Sequence, residues 1–374
     1  MTTTRPVLPL RAAVIGSGTI SKEHLGFLSG RLGNQPSGAA VAGRIRLVGL
    51  CDLSQVSADY AARQFGADAA YTDVSQMLSE AKPDVVHVLT PPQTHVDLVS
   101  LCLEAGAHVI CEKPITPTAG ELETLLERAA AADRQLMESH NYRFNKGIVD
   151  IKAAIDRGDF GAVREVEIRI ALPVTDPEGR FGDPNLPSPI HGLPAGVIHD
   201  FTTHFAYLLL HLGEPLEFSR IAAAWSNHSG NPLFSYDDLD ALLVGRGANG
   251  PVHGRLRFDA GASPDTFSVS VRGTEGWVET DLFQPYNRTV RARPGGSQLS
   301  PIVNHVVNGA SLMNDGIRNV GRKLLQQSPY QGLHTMLDES YAALAAGRPF
   351  PVTPDEMMDA SRLVDRLLED GVRL

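Results

Sequence analysis

The sequence predicts an α/β chain in two parts. Residues 1–141 read as a doubly wound parallel sheet, and residues 142–374 as an α+β domain with an open, largely antiparallel sheet. Three observations carry this. A short apolar strand runs into Gly16-Ser17-Gly18 and then a helical pattern. Strand-like and helix-like runs alternate from there to about Asn141, the rhythm of parallel strands joined by crossover helices. Beyond residue 216 several alternating runs follow one another with hairpin-type turns, which reads as antiparallel. At 374 residues the chain is also long for one core. The last helices can be expected to pack back on the first domain.

Composition narrows the class. Hydrophobic residues are 43% and charged residues 20%, as in a soluble globular enzyme. A formal net charge of -10 argues against nucleic acid or an anionic membrane as partner. No apolar run reaches the length of a membrane span, and residues 1–10 lack the apolar core of a signal peptide. Cys51, Cys102 and Cys111 are sparse and lack metal-type spacing, so a cytoplasmic location is expected.

In chain order, 11–15 is the first strand. Gly16 allows the tight turn, and Gly18 lets the backbone approach a pyrophosphate at the following helix N-terminus. The helix is expected to run through Leu32. The third small position is Ser21, where Gly or Ala is usual. Residues 44–52 form the second strand. Its terminal Asp52 either accepts bonds from ribose hydroxyls or serves as a cap or turn residue. The long gap before it is a surface insertion over 33–43. Helices follow at 54–65 and 73–81. A strand over 84–89 leads into Thr90-Pro91-Pro92-Gln93-Thr94-His95, where His95 caps the next helix or lines a site. The strand 107–111 ends in Glu112-Lys113-Pro114. Pro114 removes a donor and pushes Lys113 out of the helical region, so Lys113 sits at the carboxyl end of a strand, where α/β sheets bind ligands. A helix over 118–132 and a strand over 135–139 complete this part.

The second part opens with a helix over 146–156 and an alternating strand over 163–172. A Pro/Gly-rich loop over 172–195 carries Asp176, Glu178, Arg180, Asp183, Asn185 and His191. Loops of this length are usually functional. The next helix carries Asp200 and His204, four apart on one face. An acid and a histidine so placed can bind a polyhydroxy substrate and move its proton. His199 points to a different face, so no metal site is expected. Strand-like runs occur at 220–225, 238–245, 252–258, 267–272, 276–280 and 289–292. Trp225 and Trp277 read as packing residues. Residues 302–327 are amphipathic, helical or irregular, and two core-packing helices close the chain at 332–346 and 355–368.

Taken together, Gly16-x-Gly18, Glu112-Lys113-Pro114 and Asp200-x-x-x-His204 resemble the Gfo/Idh/MocA family of nicotinamide-dependent oxidoreductases. Thr90-Pro91-Pro92 with His95, Tyr71-x-Asp73 and Asn141-Tyr142-Arg143 fit the same family. The resemblance implies a Rossmann domain and a C-terminal domain whose open sheet builds dimers or tetramers, so a homodimer or homotetramer is expected. It implies sugars, inositols or similar polyols as substrates. It assigns Gly16, Gly18, Thr19, Ile20, Asp52, Thr90, Pro91, His95, Glu112 and Lys113 to the cofactor. Lys113 would hold the reacting hydroxyl, Asp200 would bind substrate and His204 would accept the proton, with Arg143 and Arg180 as further substrate contacts. The family often has Gly two residues before the histidine and Asp three after it. Here these are Thr202 and Tyr207. The acid at Asp52 favours NAD, with NADP the alternative. The expected activity is hydride transfer between NAD(H) and a secondary alcohol. The rival readings are a glycosidase that uses transient oxidation and a dinucleotide sensor without turnover.

Overall fold

The computed structural model describes residues 9–31, 43–186, 188–213, 217–247, 249–291, 300–324 and 330–373. They form two compact units, Met1–Asn141 with Tyr330–Ser361, and Tyr142–Pro329 with Arg362–Leu374. The expected insertion over 33–43 falls, apart from Gly43, outside the described residues.

The first unit alternates strand and helix: β1 (Leu10–Ile15), α1 (Ser21–Leu28), β2 (Ile45–Cys51), α2 (Gln55–Phe65), β3 (Ala70–Tyr71), α3 (Val74–Ala81), β4 (Val85–Val88), α4 (His95–Glu104), β5 (His108–Cys111), α5 (Ala119–Ala131) and β6 (Leu136–Glu138). All six strands are parallel, in the order β3-β2-β1-β4-β5-β6. Covered on both faces, β4 is buried from end to end, which explains why it is apolar but for His87. The order reverses between β1 and β4, and a doubly wound sheet binds ligands outside the carboxyl ends of the strands at such a point.

Local chemistry sets the helix ends. Ser54, Asp73 and Thr118 accept bonds from the backbone N–H groups of Ser57, Gln76 and Glu121, capping α2, α3 and α5. Asp73 is thus a cap. The first helix stops at Leu28, four residues short of expectation. Gly30 adopts φ +67°, and the N–H of Arg31 turns back to the carbonyl of Gly26 at 2.9 Å. Strand β3 is two residues long and carries too little pattern to be expected.

The second unit contains α6 (Lys146–Asp156), β7 (Val163–Ala171), α7 (Gly196–Gly213), β8 (Glu217–Ser226), β9 (Asp238–Gly247), β10 (Gly250–Asp259), β11 (Thr266–Gly273), β12 (Gly276–Asp281), β13 (Asn287–Arg291) and α8 (Ser300–Leu324). Then come α9 (Gln331–Ala345), which lies in the first unit, α10 (Pro354–Glu369) and β14 (Gly371–Arg373). Eight strands order as β13-β12-β11-β7-β10-β9-β8-β14. The sheet is mostly antiparallel, with β7–β10 and β8–β14 as parallel pairs. Val166, Ile168 and Ile170 of β7 turn to one face and are fully buried. Helix α7 covers that face. A Cβ at Gly254 of β10 would meet the Leu209 side chain at 3.0 Å, so glycine there lets the helix close on the sheet. Among the described residues no helix is long and apolar enough to cross a membrane.

His108 opens β5 with its Nδ1 accepting the N–H of Gln135 at 3.0 Å. Burial, and then the Arg134 charge, lower its pKa to about 4. The folded protein keeps this ring neutral down to that pH, while the unfolded chain protonates near 6.5. Stability is therefore lost as pH falls from about 6.5 towards 4. In His108→Gln the stability difference between pH 7.5 and pH 5 should shrink by about 1–2 kcal/mol, measured by urea unfolding. Superimposable pH profiles of the two proteins would sink this assignment.

Candidate functional site

The first unit gathers five of the expected segments along one edge of its sheet. Gly16 follows β1 with φ +96°, and its ideal Cβ would meet the Leu89 carbonyl at 3.0 Å and Thr90 Cγ2 at 3.1 Å. The glycine turn and the Thr90-Pro91 segment therefore touch where the strand order reverses. Gly18 is exposed, and a Cβ there would meet nothing within 4 Å. Thr19 is exposed and Ile20 half-buried at the head of α1, whose first turn has no side-chain cap. Ser21 shows why a hydroxyl serves at the third small position. It is buried, and its Oγ donates to the Gly18 carbonyl at 2.6 Å, closing the turn.

Asp52 follows β2 and fastens this turn. Its Oδ2 accepts from the Ser17 N–H at 2.9 Å and the Ser17 hydroxyl at 2.5 Å, and its Oδ1 from the Ser54 N–H at 2.9 Å. Burial alone would raise its pKa, yet these bonds hold it below the ordinary carboxylate value. With two lone-pair positions on each oxygen, three are taken and one on Oδ1 is left for a ligand hydroxyl. The cap on α2 is Ser54, so Asp52 is a turn-binder with one acceptor to spare.

His95 is fully buried, and its Nδ1 and Nε2 lie 3.0 and 2.8 Å from the carbonyls of Pro114 and Thr90. It clamps the loop after β4 to the loop after β5, with neither ring nitrogen turned to a ligand. Two carbonyl acceptors would favour a charged ring. Burial outweighs them and lowers the pKa, so a neutral ring donates to one carbonyl at a time.

Glu112 and Lys113 follow β5, and the Glu112 N–H bonds to the Val88 carbonyl at 2.9 Å, extending the β4 pairing. Lys113 is half-buried. The Glu112 carboxylate ends a chain that the sequence did not suggest. It lies 3.2 Å from His24 Nε2, His24 Nδ1 lies 2.8 Å from His87 Nδ1, and His87 Nε2 lies 2.9 Å from the Tyr341 hydroxyl. Burial, and then His24, push the His87 pKa well down, so that ring is neutral. Burial would raise the Glu112 pKa, but the bond and charge of His24 and the charge of Lys113 keep it low. An ionised carboxylate can only accept, so the Nε2–H of His24 donates to Glu112.

In the second unit α7 carries both remaining residues. Asp200 is half-buried, and His204 is buried one turn later. The ring of His204 stands edge-on to Tyr142 at 4.7 Å and to Tyr207 at 5.6 Å. Its Nδ1 is 2.8 Å from the Tyr207 hydroxyl, whose oxygen also accepts the Tyr142 N–H at 3.2 Å. Thr202 is buried and donates to the His199 carbonyl within the helix at 2.8 Å. Arg143 is half-buried over the Phe144 ring at 5.7 Å.

The loop over 172–195 is tied down. Asn231 Nδ2 donates to the carbonyls of Thr175 and Gly182, and His191 Nε2 to that of Phe181. A single helical turn, Pro189–Gly192, then leads into α7. Arg180 is exposed and lies over the Phe181 ring at 5.1 Å. Among the described residues no group of three or more His, Cys, Asp and Glu is placed to hold a metal ion.

Residues 10–140 match the family model described as oxidoreductase family, NAD-binding Rossmann fold. The Rossmann unit is thus that of the Gfo/Idh/MocA family. It is 31% identical over 156 residues to inositol 2-dehydrogenase 1 of Saccharopolyspora erythraea, which spans 41% of this chain and 43% of that protein. It is 25% identical over 293 residues to inositol 2-dehydrogenase of Rhizobium meliloti, covering 77% of this chain and 80% of that one. The chain spans about half the length or less of several other curated relatives it matches. The crystal structure of the WlbA dehydrogenase from Bordetella pertussis, in complex with NADH and UDP-GlcNAcA, shares the fold with a TM-score of 0.74. Its identity is 19%, over 98% of this chain and 96% of that one.

The Gfo/Idh/MocA family binds NAD(H), and the turn observed here fits the pyrophosphate. Beside Gly18 there is open space, the head of α1 lacks a side-chain cap, and the Asp52 carboxylate keeps one acceptor. The two glycines have separable roles. Gly16→Ala should lower thermal stability, because both φ and space forbid a side chain. Gly18→Ala should leave the melting temperature within about 1–2 °C, since an exposed substitution costs little, yet weaken NADH binding at least about tenfold by filling the approach. Unchanged NADH affinity in Gly18→Ala, read by fluorescence titration, would place the pyrophosphate elsewhere.

Proposed function

We propose that this chain transfers a hydride reversibly between NAD(H) and a secondary alcohol of a sugar, sugar derivative or cyclitol. The observation that carries the reading is His204, held through Nδ1 by Tyr207 one turn beyond a half-buried carboxylate on the same helix. The relatives named as inositol dehydrogenases, and a structural neighbour solved with NADH and a nucleotide-linked uronic acid, support the substrate class.

When bound, the nicotinamide supplies the hydride acceptor. The chain supplies the rest. Nδ1–H of His204 donates to the Tyr207 oxygen, and Nε2 is the base that takes the alcohol proton. Tyr207 thus stands where the family often has aspartate, and orients the ring without a carboxylate. Asp200 accepts a second substrate hydroxyl and fixes the pose. Lys113, by charge and hydrogen bond, favours alkoxide character on the reacting oxygen. Arg180 is the contact for an acidic substituent, and Arg143 a further substrate contact. The reading is for a protein acting in the cytoplasm as a homodimer or homotetramer.

His204→Ala should lower turnover by about 10²–10⁴ while NADH binding persists. Lys113→Ala should be at least as damaging, and Arg180→Ala should raise KM for uronates alone. Assays follow NADH absorbance over a panel of polyols and glycosides. Near-normal turnover in His204→Ala would move the base elsewhere. Glycoside cleavage without net NADH would favour the hydrolytic reading, and NADH binding with no turnover on any substrate would favour the sensor.

The cofactor is NAD in preference to NADP, because the ionised Asp52 repels a 2′-phosphate. Catalytic efficiency should be at least about tenfold higher with NAD, the scale of one mispaired charge. Equal or better efficiency with NADP would overturn the preference.

A further inference from the structure

Helix α8 is built inside out. It lies along β13, the edge strand of the eight-stranded sheet, and meets it with polar side chains. Asn308 accepts the Thr289 N–H at 3.0 Å and donates to the Thr289 carbonyl at 2.9 Å, as a neighbouring strand would. Asn304 donates to the Arg291 carbonyl at 3.2 Å, Asp315 accepts the Asn287 N–H at 3.2 Å, and Asn319 donates to the Pro285 carbonyl at 2.9 Å. Residues 304, 308, 315 and 319 share one helical face. Asn304 and Asn308 are buried.

The opposite face is apolar and open. Ile302, Val306, Met313, Ile317, Val320 and Leu324 are 59–78% exposed. Their spacings of four, seven, four, three and four residues are those of a coiled-coil seam. At about 100° per residue all six lie within about 40° of Met313 on the helix. A surface helix ordinarily turns such a stripe to its own core, and an exposed one of this length marks an interface.

The order of the residues names the occupant. Reversed about Met313, the stripe maps onto itself: Ile302 falls on Leu324, Val306 on Val320 and Gly309 on Ile317, with Met313 on its own copy. A twofold interface has this property, since each residue meets in the partner the residue that meets it. A foreign partner would need the apolar surface but not the reversal. The glycine is in place too. A Cβ at Gly309 would meet nothing within 4 Å, which leaves a hole for Ile317 of the other copy. Antiparallel helices also set their dipoles head to tail.

We propose that α8 pairs antiparallel with α8 of a second copy of this chain, with the twofold axis at Met313. The surface lies at the edge of the sheet and is separate from the open sheet face that the family resemblance offers for assembly.

The test uses the full chain and its mass in solution. Val306→Lys/Val320→Lys should halve the assembly at about 10 μM, because lysines then face lysines across the axis. Both positions are exposed, so the circular dichroism spectrum and melting temperature should stay those of the parent. Val306→Lys/Val320→Glu should restore the parent mass, since antiparallel pairing sets each lysine against a glutamate. Parallel pairing would set like against like and would not be rescued. Met313→Cys should form a disulfide-linked dimer on mild oxidation, the three native cysteines being buried. A parent that is monomeric at about 100 μM, a double-lysine variant of unchanged mass, or failure of the lysine–glutamate rescue would each overturn the proposal.

Discussion

The Glu112 carboxylate is the constraint on which the Rossmann unit turns. It is a negative charge taken largely out of water at the end of β5, and it is held by a hydrogen-bonded relay that runs through His24 and His87 to Tyr341. The relay joins four elements. Tyr341 comes from α9, His87 from β4, His24 from α1 and Glu112 from the end of β5. Removing one member would leave a buried donor or acceptor unmatched, at a cost of about 1–3 kcal/mol. Coupling between bonds in such a chain makes the parts stronger together than singly. The helix that begins at the glycine turn and the strand end that presents Lys113 are therefore fixed by one network. The glycine turn and Lys113 are braced from beneath by this one network.

Much of this unit was legible because its signals are local. A glycine turn, an acid ending the second strand and a proline after Glu-Lys each act within a few residues of the backbone they shape. The relay was not legible, since His24 and His87 lie 63 positions apart. The one hint was a histidine inside the apolar run of β4, which needs a partner once buried. His95 could be a cap or a ligand contact in the sequence. Only the position of the Pro114 carbonyl, set by another strand, makes it a clamp. At α7 the spacing of Asp200 and His204 was readable, whereas Tyr207 became meaningful only when its hydroxyl was seen against His204 Nδ1.

The second unit hid more, and for a physical reason. Its helix α8 shows an amphipathic period but not which face turns inward. Burial of the asparagine face is favoured because β13 would otherwise present unpaired peptide groups, and side-chain amides can stand in for the missing strand. An edge protected in this way cannot be extended by another chain's strand. At the other end of the sheet, the Trp225 indole donates to the Leu367 carbonyl, and β14 pairs alongside β8.

The position of β7 has a consequence for how the chain is made. It lies in the middle of its sheet, between β11 and β10, and both partners come much later in the sequence. During synthesis β7 leaves the ribosome with two open edges and an apolar face. The sheet cannot zip outward from it until the β9–β10 hairpin and then β11 have emerged. Nascent chains from which β7 has emerged but β10 and β11 have not would therefore carry an unpaired, aggregation-prone strand, making this the stage at which the chain most needs chaperone shelter.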